Sequence, residues 1–264
     1  MPNEAIYMRH REAINKLRRG VMDKCAACKG GLIPVGYDEE NGVPTFEECK
    51  CKKRFEYLKG LCMANVPKGR WDILEQKRET IPVTSPYDFK RKLSLYGRYI
   101  NRILKNIDQA IGRSVGLFMF GVPGSGKSTA AYYLIARATK KSKSCYYIYF
   151  KNLIGLLLDS YSDKEIKPLY DEIVRVEVLV VDELSLVGRV TPHAVAEFTS
   201  VLKERVERGS ITVLISNYKD IDEIRENFGS PMESLMLEGF EGVRFASKRD
   251  LREIRNERLR SFFK

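Results

Sequence analysis

The chain has 264 residues, 46 Lys plus Arg against 35 Asp plus Glu, a net charge of +11 and an apolar fraction of 44%. That length supports one core, or one core with a small appended module, and the charge points to an acidic partner. No window approaches 18 uncharged apolar residues, Met1–Gly20 is charged throughout, and there are two His residues, so a membrane span, a secretory signal and an imidazole cluster are excluded and a cytoplasmic protein is expected.

Residues 4–19 read as a basic helix with Ile6, Ala13, Ile14 and Leu17 as its apolar positions and Gly20 at its end. Residues 24–53 change character. Gly30-Gly31, Pro34, Gly36, Asn41-Gly42 and Pro44 are turn signals between short strand-like runs at Leu32-Ile33 and Thr45-Phe46. Residues 54–87, with Val66-Pro67, Ile81-Pro82 and Ser85-Pro86, read as a linker with one or two short helices. A basic helix is expected over about 88–111. Strands and helices then alternate: strand 115–120, helix 127–139, strand 144–149, helices 151–161 and 163–174, strand 176–181, helix 192–208, strand 211–216, short helices, strand 242–245 and a last helix over 249–263. This alternation implies an α/β fold, a parallel sheet covered by helices on both faces.

Gly121-Val122-Pro123-Gly124-Ser125-Gly126-Lys127-Ser128 matches G-x-x-x-x-G-K-S, follows the apolar run Leu117–Phe120 and opens a helix at Thr129. Glycines let such a loop wrap so that its N–H groups face phosphates, and the helix N-terminus adds partial positive charge. Lys127 then supplies a cation for the β- and γ-phosphates of ATP, and Ser128 a hydroxyl for Mg²⁺. Val178–Val181 is an apolar run ending in Asp182 and Glu183. A carboxylate at the end of a buried strand is costly, and a metal offsets that cost. Asp182 is expected to hold Mg²⁺ through its water shell and Glu183 to polarise the water that attacks the γ-phosphate. A further strand, Ile211–Ser216, ends at Asn217, placed to sense the γ-phosphate or that water.

Cys25-x₂-Cys28 and Cys49-x-Cys51 stand twenty residues apart, flanked by Lys24, Lys29, Lys50, Lys52 and Lys53. Four thiolates in two clips suit tetrahedral Zn²⁺, and metal binding would contribute most of the folding free energy of so small a segment. Four free thiols and an iron–sulfur cluster are the alternatives. Cys62 and Cys145 stand alone and read as packed residues, as do Tyr132-Tyr133 and Tyr146-Tyr147.

The order of phosphate loop, Asp-Glu strand and Ser-Asn strand resembles an AAA+ ATPase core. More narrowly, it is similar to the bacterial and phage replicative-helicase loaders of the DnaC/DnaI type and to their IstB-type transposition relatives. Gly121–Ser128, Val178–Glu183 and Thr212–Asn217 carry the core resemblance, and Arg205 stands six residues before the third strand, where loaders often have an Arg. The paired cysteines, the Gly-Gly after them and Ala64-Asn65-Val66-Pro67 resemble the loader N-terminal module and linker, which IstB relatives generally lack. One departure stands out: the Ser-Arg pair these families place before the last strand is replaced by Glu233-Ser234-Leu235-Met236-Leu237. That leaves Arg189, Arg205, Arg225 and Arg244 as candidates for a cation acting on a neighbouring subunit's nucleotide.

The resemblance implies three parts: a basic helix and four-cysteine zinc module over 1–60, a linker over 61–87, and an AAA+ ATPase domain over 88–264 without a C-terminal lid. It implies slow ATP hydrolysis, a homo-oligomer formed through the AAA+ domain, a hexameric helicase held by the N-terminal module, and single-stranded DNA as a further partner. The basic residues of 88–111 and 249–264 are free for that DNA, half of them being ordinary solvated faces. The alternatives are an IstB-like ATPase that binds DNA and a transposase, and an adaptor that binds nucleotide with little hydrolysis.

Overall fold

The computed structural model describes residues 3–28, 30–75, 100–185, 190–220 and 222–245. The rest of the expected helix over 88–111, the expected helix over 249–263 and Arg189 lie outside the described residues.

Five parallel strands form the central sheet: β3 (Gly116–Gly121), β4 (Cys145–Tyr149), β5 (Val178–Asp182), β6 (Ile211–Ile215) and β7 (Phe240–Phe245), in the spatial order β4-β5-β6-β3-β7. Their sequences are near-continuous runs of apolar residues because both faces are covered. Side-chain alternation divides each strand between two cores. Leu117, Met119, Tyr147, Val178, Val180, Val213 and Ile215 face one core, and Phe118, Tyr146, Ile148, Leu179, Val181 and Leu214 the other.

The first face is covered by α6 (Lys127–Lys140), with α2 (Lys50–Met63), the short helix α3 (Trp71–Glu75) and the helical stretches α4 (residues 100–105) and α5 (Ile107–Gly112). The second carries α7 (Phe150–Ser162), α8 (Ile166–Arg175), α9 (Pro192–Arg208), α10 (Asp222–Phe228) and α11 (Ser230–Gly239). The alternation read from sequence holds, and the sheet with its helices is the P-loop AAA+ core. Where a single helix over 88–111 was expected, the described part is interrupted at Asn106 (φ −124°, ψ 46°), which separates α4 from α5.

The N-terminal segment packs directly on this core. Helix α1 spans Glu4–Val21 and passes through Gly20, because Met22 continues in right-handed helical geometry and nothing demands a left-handed residue there. Its first turn is tied to α8: the N–H groups of Ala5 and Ile6 donate to the two carboxylate oxygens of Glu172 at 3.0 and 2.9 Å. Helix termini leave such donors orphaned, and the anion also complements the helix dipole. Helix α2 crosses α6 at Gly60, where a Cβ would fall 2.1 Å from the Thr139 methyl group, and Lys140 lies over the Tyr57 ring at 4.6 Å. Two strands, β1 (Leu32–Asp38) and β2 (Val43–Glu48), form an antiparallel hairpin outside the core. Among the described residues, no helix is long and apolar enough to cross a membrane.

Candidate functional site

Strand order assembles the candidate nucleotide site. Because β6 lies between β3 and β5, its C-terminal end sits between the phosphate loop after β3 and the acidic pair after β5. Ligands of open α/β sheets bind at this carboxyl edge of the strands. Ser216 ties the three ends together: its N–H donates to Met119 O at 3.0 Å, its hydroxyl to Leu184 O at 2.8 Å, and Leu184 N–H returns a bond to Ile215 O at 2.8 Å.

The loop geometry depends on glycine. Gly121, Gly124 and Gly126 have φ of 119°, 71° and 98°, and a Cβ on Gly121 would stand 2.1 Å from Phe245 O. Lys127 is buried and donates to Gly121 O at 2.7 Å, Val122 O at 2.9 Å and Asn217 Oδ1 at 3.0 Å. The ammonium therefore bridges the loop and the end of β6. Ser125 Oγ donates to Val122 O at 2.7 Å, which closes the loop. Val122 and Pro123 are exposed at the rim, while Ser128 and Thr129 are half-buried in the first turn of α6. The N–H groups of that turn are the donors an anion needs.

Asp182 is 3% exposed, and both of its oxygens are held. Oδ1 accepts from Glu183 N–H at 2.7 Å and Oδ2 from the Tyr147 hydroxyl at 2.5 Å. Glu183 is exposed and adopts a left-handed backbone, φ 56°, unusual for a residue with a side chain. Such conformations concentrate at functional positions. Tyr147 was expected to be a packing residue. It is buried, and burial beside the Asp182 charge pushes its phenol pKa far above the usual range. Its contact is invisible to local motifs, since it depends on the register that sets Tyr147 opposite Val180 and Tyr149 opposite Asp182. A buried carboxylate, the Ser128 hydroxyl and a phosphate loop together suit Mg²⁺ with nucleotide.

Arg205 departs from expectation. It is 1% exposed and inserted between the ends of α8 and β6. Its guanidinium donates to Val174 O at 2.6 Å, Val176 O at 2.8 Å, Ile211 O at 2.7 Å and Thr212 Oγ1 at 2.9 Å. Burial pulls its pKa down to about 9, and the carbonyl dipoles facing it favour the cation. A side chain so enclosed cannot reach another subunit, so Arg205 is removed from the trans-acting candidates. Arg244 is exposed, and Arg225 is exposed with Glu233 at 3.8 Å.

The four paired cysteines converge. Their Sγ atoms all lie within 4.8 Å of one another, with Cys25–Cys49 at 3.8 Å and Cys28–Cys51 at 3.3 Å. A tetrahedron with Zn–S of about 2.3 Å requires S···S of about 3.8 Å, so the donor set fits. The chain builds it locally. Gly30 and Gly31 take φ of 63° and 92°, the hairpin β1–β2 returns the chain, Cys49 N–H donates to Gly31 O at 2.8 Å, and Cys49 stands in extended geometry at the N-cap of α2. The start of α2 thus presents Cys49 and Cys51, and hydrogen bonding led by the Cys51 backbone N–H lowers the Cys49 thiol to about 7. Cys62 and Cys145 are buried elsewhere, as expected.

A separate cavity of about 1030 Å³ opens at the opposite end of the sheet. Lys59, Arg175, Glu172 and Glu177 line it, and this mixture of signs does not suit a nucleotide.

A family model described as IstB-like ATP binding protein matches residues 77–238, more than half of the chain. Among solved structures the chain is similar to the DnaC helicase loader, with 19% identity and a TM-score of 0.54 over 68% of this chain and 100% of that one. It is similar to DnaI, with 16% identity and a TM-score of 0.54 over 68% and 92% of the two chains. It is also similar to AMPPCP-bound DnaA from Aquifex aeolicus, with 15% identity and a TM-score of 0.52 over 71% and 56%. At these identities the likeness to solved structures is one of fold. No curated protein sequence matches significantly.

Proposed function

We propose, from the premise that this chain belongs to the IstB-like ATP-binding protein family, that it loads a replicative DNA helicase onto single-stranded DNA and uses ATP as a switch. The observation that carries the hydrolytic part is the meeting of Lys127 with Asn217 at 3.0 Å, beside the Asp182–Glu183 strand end. Lys127 and the loop N–H groups would bind the phosphates of ATP. Ser128 and Asp182 would hold Mg²⁺, which supplies charge neutralisation between the phosphates. Glu183, exposed at the strand end, would take the proton of the attacking water. Asn217, bonded to Lys127, would report whether a γ-phosphate is present.

The choice of a helicase loader over a transposition ATPase rests on the four-cysteine cluster, which fits Zn²⁺ and belongs to the loader pattern. The hairpin between the cysteine clips supports a protein partner rather than DNA, although Lys24, Lys29, Lys50, Lys52 and Lys53 flank the clips themselves. Residues 32–48 contain Asp38, Glu39, Glu40, Glu47 and Glu48 and no Lys or Arg, although the chain as a whole is basic. Paired residues of the hairpin share a face, so Leu32, Pro34, Phe46, Tyr37 and Pro44 lie on one side, with Glu48, the partner of Leu32, at its end. They are exposed, Tyr37 by 73% and Phe46 by 53%. An apolar face with an acidic border repels a phosphate backbone and suits a protein surface with basic edges.

The test is to mix the full chain with a hexameric replicative helicase and single-stranded DNA, with and without ATP. A nucleotide-sensitive complex that places helicase on the DNA is expected, and no complex under any condition overturns the reading. The family match itself favours the transposition reading as the second one, and ATP-dependent filaments on duplex DNA without helicase binding would establish it.

A further inference from the structure

We infer that Tyr147 is a positioning residue, which sets the Asp182 carboxylate in the orientation that the nucleotide's Mg²⁺ requires; the inference rests on the nucleotide reading above. The Tyr147 hydroxyl donates to Asp182 Oδ2 at 2.5 Å, the short separation of a hydrogen bond to an ionised acceptor. Glu183 N–H holds the other oxygen at 2.7 Å. With a donor on each oxygen the carboxylate cannot rotate, and each oxygen still keeps a lone pair for a further donor such as a metal-bound water.

Tyr147 is itself immobilised from three directions. Its ring packs against Tyr132 of α6, the helix that the phosphate loop opens, with centroids 4.9 Å apart, and against the Tyr149 ring edge-on at 5.5 Å. Its strand, β4, is the edge of the sheet, and that edge is occupied by the segment after α2. Tyr147 N–H donates to Ala64 O at 2.9 Å, and Asn65 Nδ2 donates to Tyr147 O at 2.9 Å. Asn65 takes a left-handed backbone, φ 56°, a conformation that asparagine tolerates. The segment that leads out of the cysteine module therefore fixes the strand whose tyrosine fixes the metal-binding acid.

Tyr147→Phe tests this, since it keeps the ring packing and removes only the hydroxyl. The readouts are retention of a fluorescent ATP analogue as Mg²⁺ is titrated, retention of the same analogue in EDTA, and the Mg²⁺ dependence of ATP hydrolysis. The half-saturating Mg²⁺ concentration is expected to rise on the order of tenfold in both Mg²⁺ titrations, as suits the loss of a bond to a charged group. Analogue retention in EDTA stays at the parental value, while the melting temperature falls by about 3–10 °C, as the loss of one buried bond to a charged group implies, and the protein stays folded at the assay temperature. An unchanged or lower Mg²⁺ requirement in Tyr147→Phe overturns the positioning role. If the parental protein shows no Mg²⁺-dependent retention, the nucleotide reading fails first and takes this inference with it, so the two failures are distinguishable.

Discussion

Replacing Arg205 by Met would remove four hydrogen bonds from the interior while filling most of the same volume. The bonds join α9 to the end of α8, to Val176 before β5 and to β6, at 2.6–2.9 Å. Hydrogen bonds from a charged donor contribute about 1.5–3 kcal/mol each, which gives a gross loss of roughly 6–12 kcal/mol. Against that, Met no longer buries a charge, and apolar replacement of buried ions recovers about 1–4 kcal/mol. The expected net loss is about 2–11 kcal/mol, centred on about 6, a large share of the roughly 5–15 kcal/mol that holds a typical domain folded. Urea denaturation followed by circular dichroism reads this directly. With a slope of about 2–3 kcal/mol per molar, the midpoint should fall by about 2 M or the variant should be unfolded without urea. A loss under about 1 kcal/mol would refute the account of Arg205 as an internal tie. If such a stable variant also lost ATP hydrolysis only in its oligomeric form, a role at a neighbour's nucleotide would return.

Lys127→Ala should abolish nucleotide binding, measured by equilibrium binding of a fluorescent ATP analogue, whereas Glu183→Gln should bind normally and hydrolyse at least about 100-fold more slowly. Hydrolysis at the parental rate in Glu183→Gln would remove Glu183 as the base. The purified chain should hold about one zinc per molecule by elemental analysis and release it in strong chelator or as acid protonates the thiolates, with loss of structure in the module; less than half an equivalent would count against the metal site. His10 of α1 has its pKa lowered from 6.5 by burial and by Arg9. A base depressed in the folded state takes up protons more readily when unfolded, so its share of stability is complete above about pH 6.5 and is lost as the pH falls below it. The melting temperature of the parent should therefore drop more steeply from pH 8 to pH 5.5 than that of His10→Leu, and identical slopes would exclude His10 as a contributor.

The parts of the candidate site carried by contiguous residues were legible in the sequence. A strand, a glycine loop, Lys127 and a helix follow one another, so local patterning sufficed to locate them, and the same is true of the Asp182–Glu183 strand end. The cysteine clips were legible from spacing and the hairpin between them in part, as the strand-like runs Leu32-Ile33 and Thr45-Phe46, although their pairing and the helix start that presents Cys49 and Cys51 were not. What escaped depends on strand order and register. Asn217 was expected at the nucleotide, but its bond to Lys127 follows from the insertion of β6 between β3 and β5, and the β4–β5 register puts Tyr147 on Asp182. Arg205 looked like a functional arginine because an exposed and a buried guanidinium read alike in one dimension. Its acceptors at Val174 and Val176 come from an element about thirty positions earlier in the chain.

Ala64 and Asn65 also bear on how the ATPase part of this chain can be handled alone. A fragment cut at residue 77, where the family similarity begins, would lose both of them. Strand β4, four of whose five residues are buried, would then present a bare margin with the N–H and C=O of Tyr147 unpaired. Bare apolar margins template pairing with other chains and lead to aggregation. Soluble, monodisperse fragments should therefore begin upstream of Ala64, whatever is removed of the cysteine module.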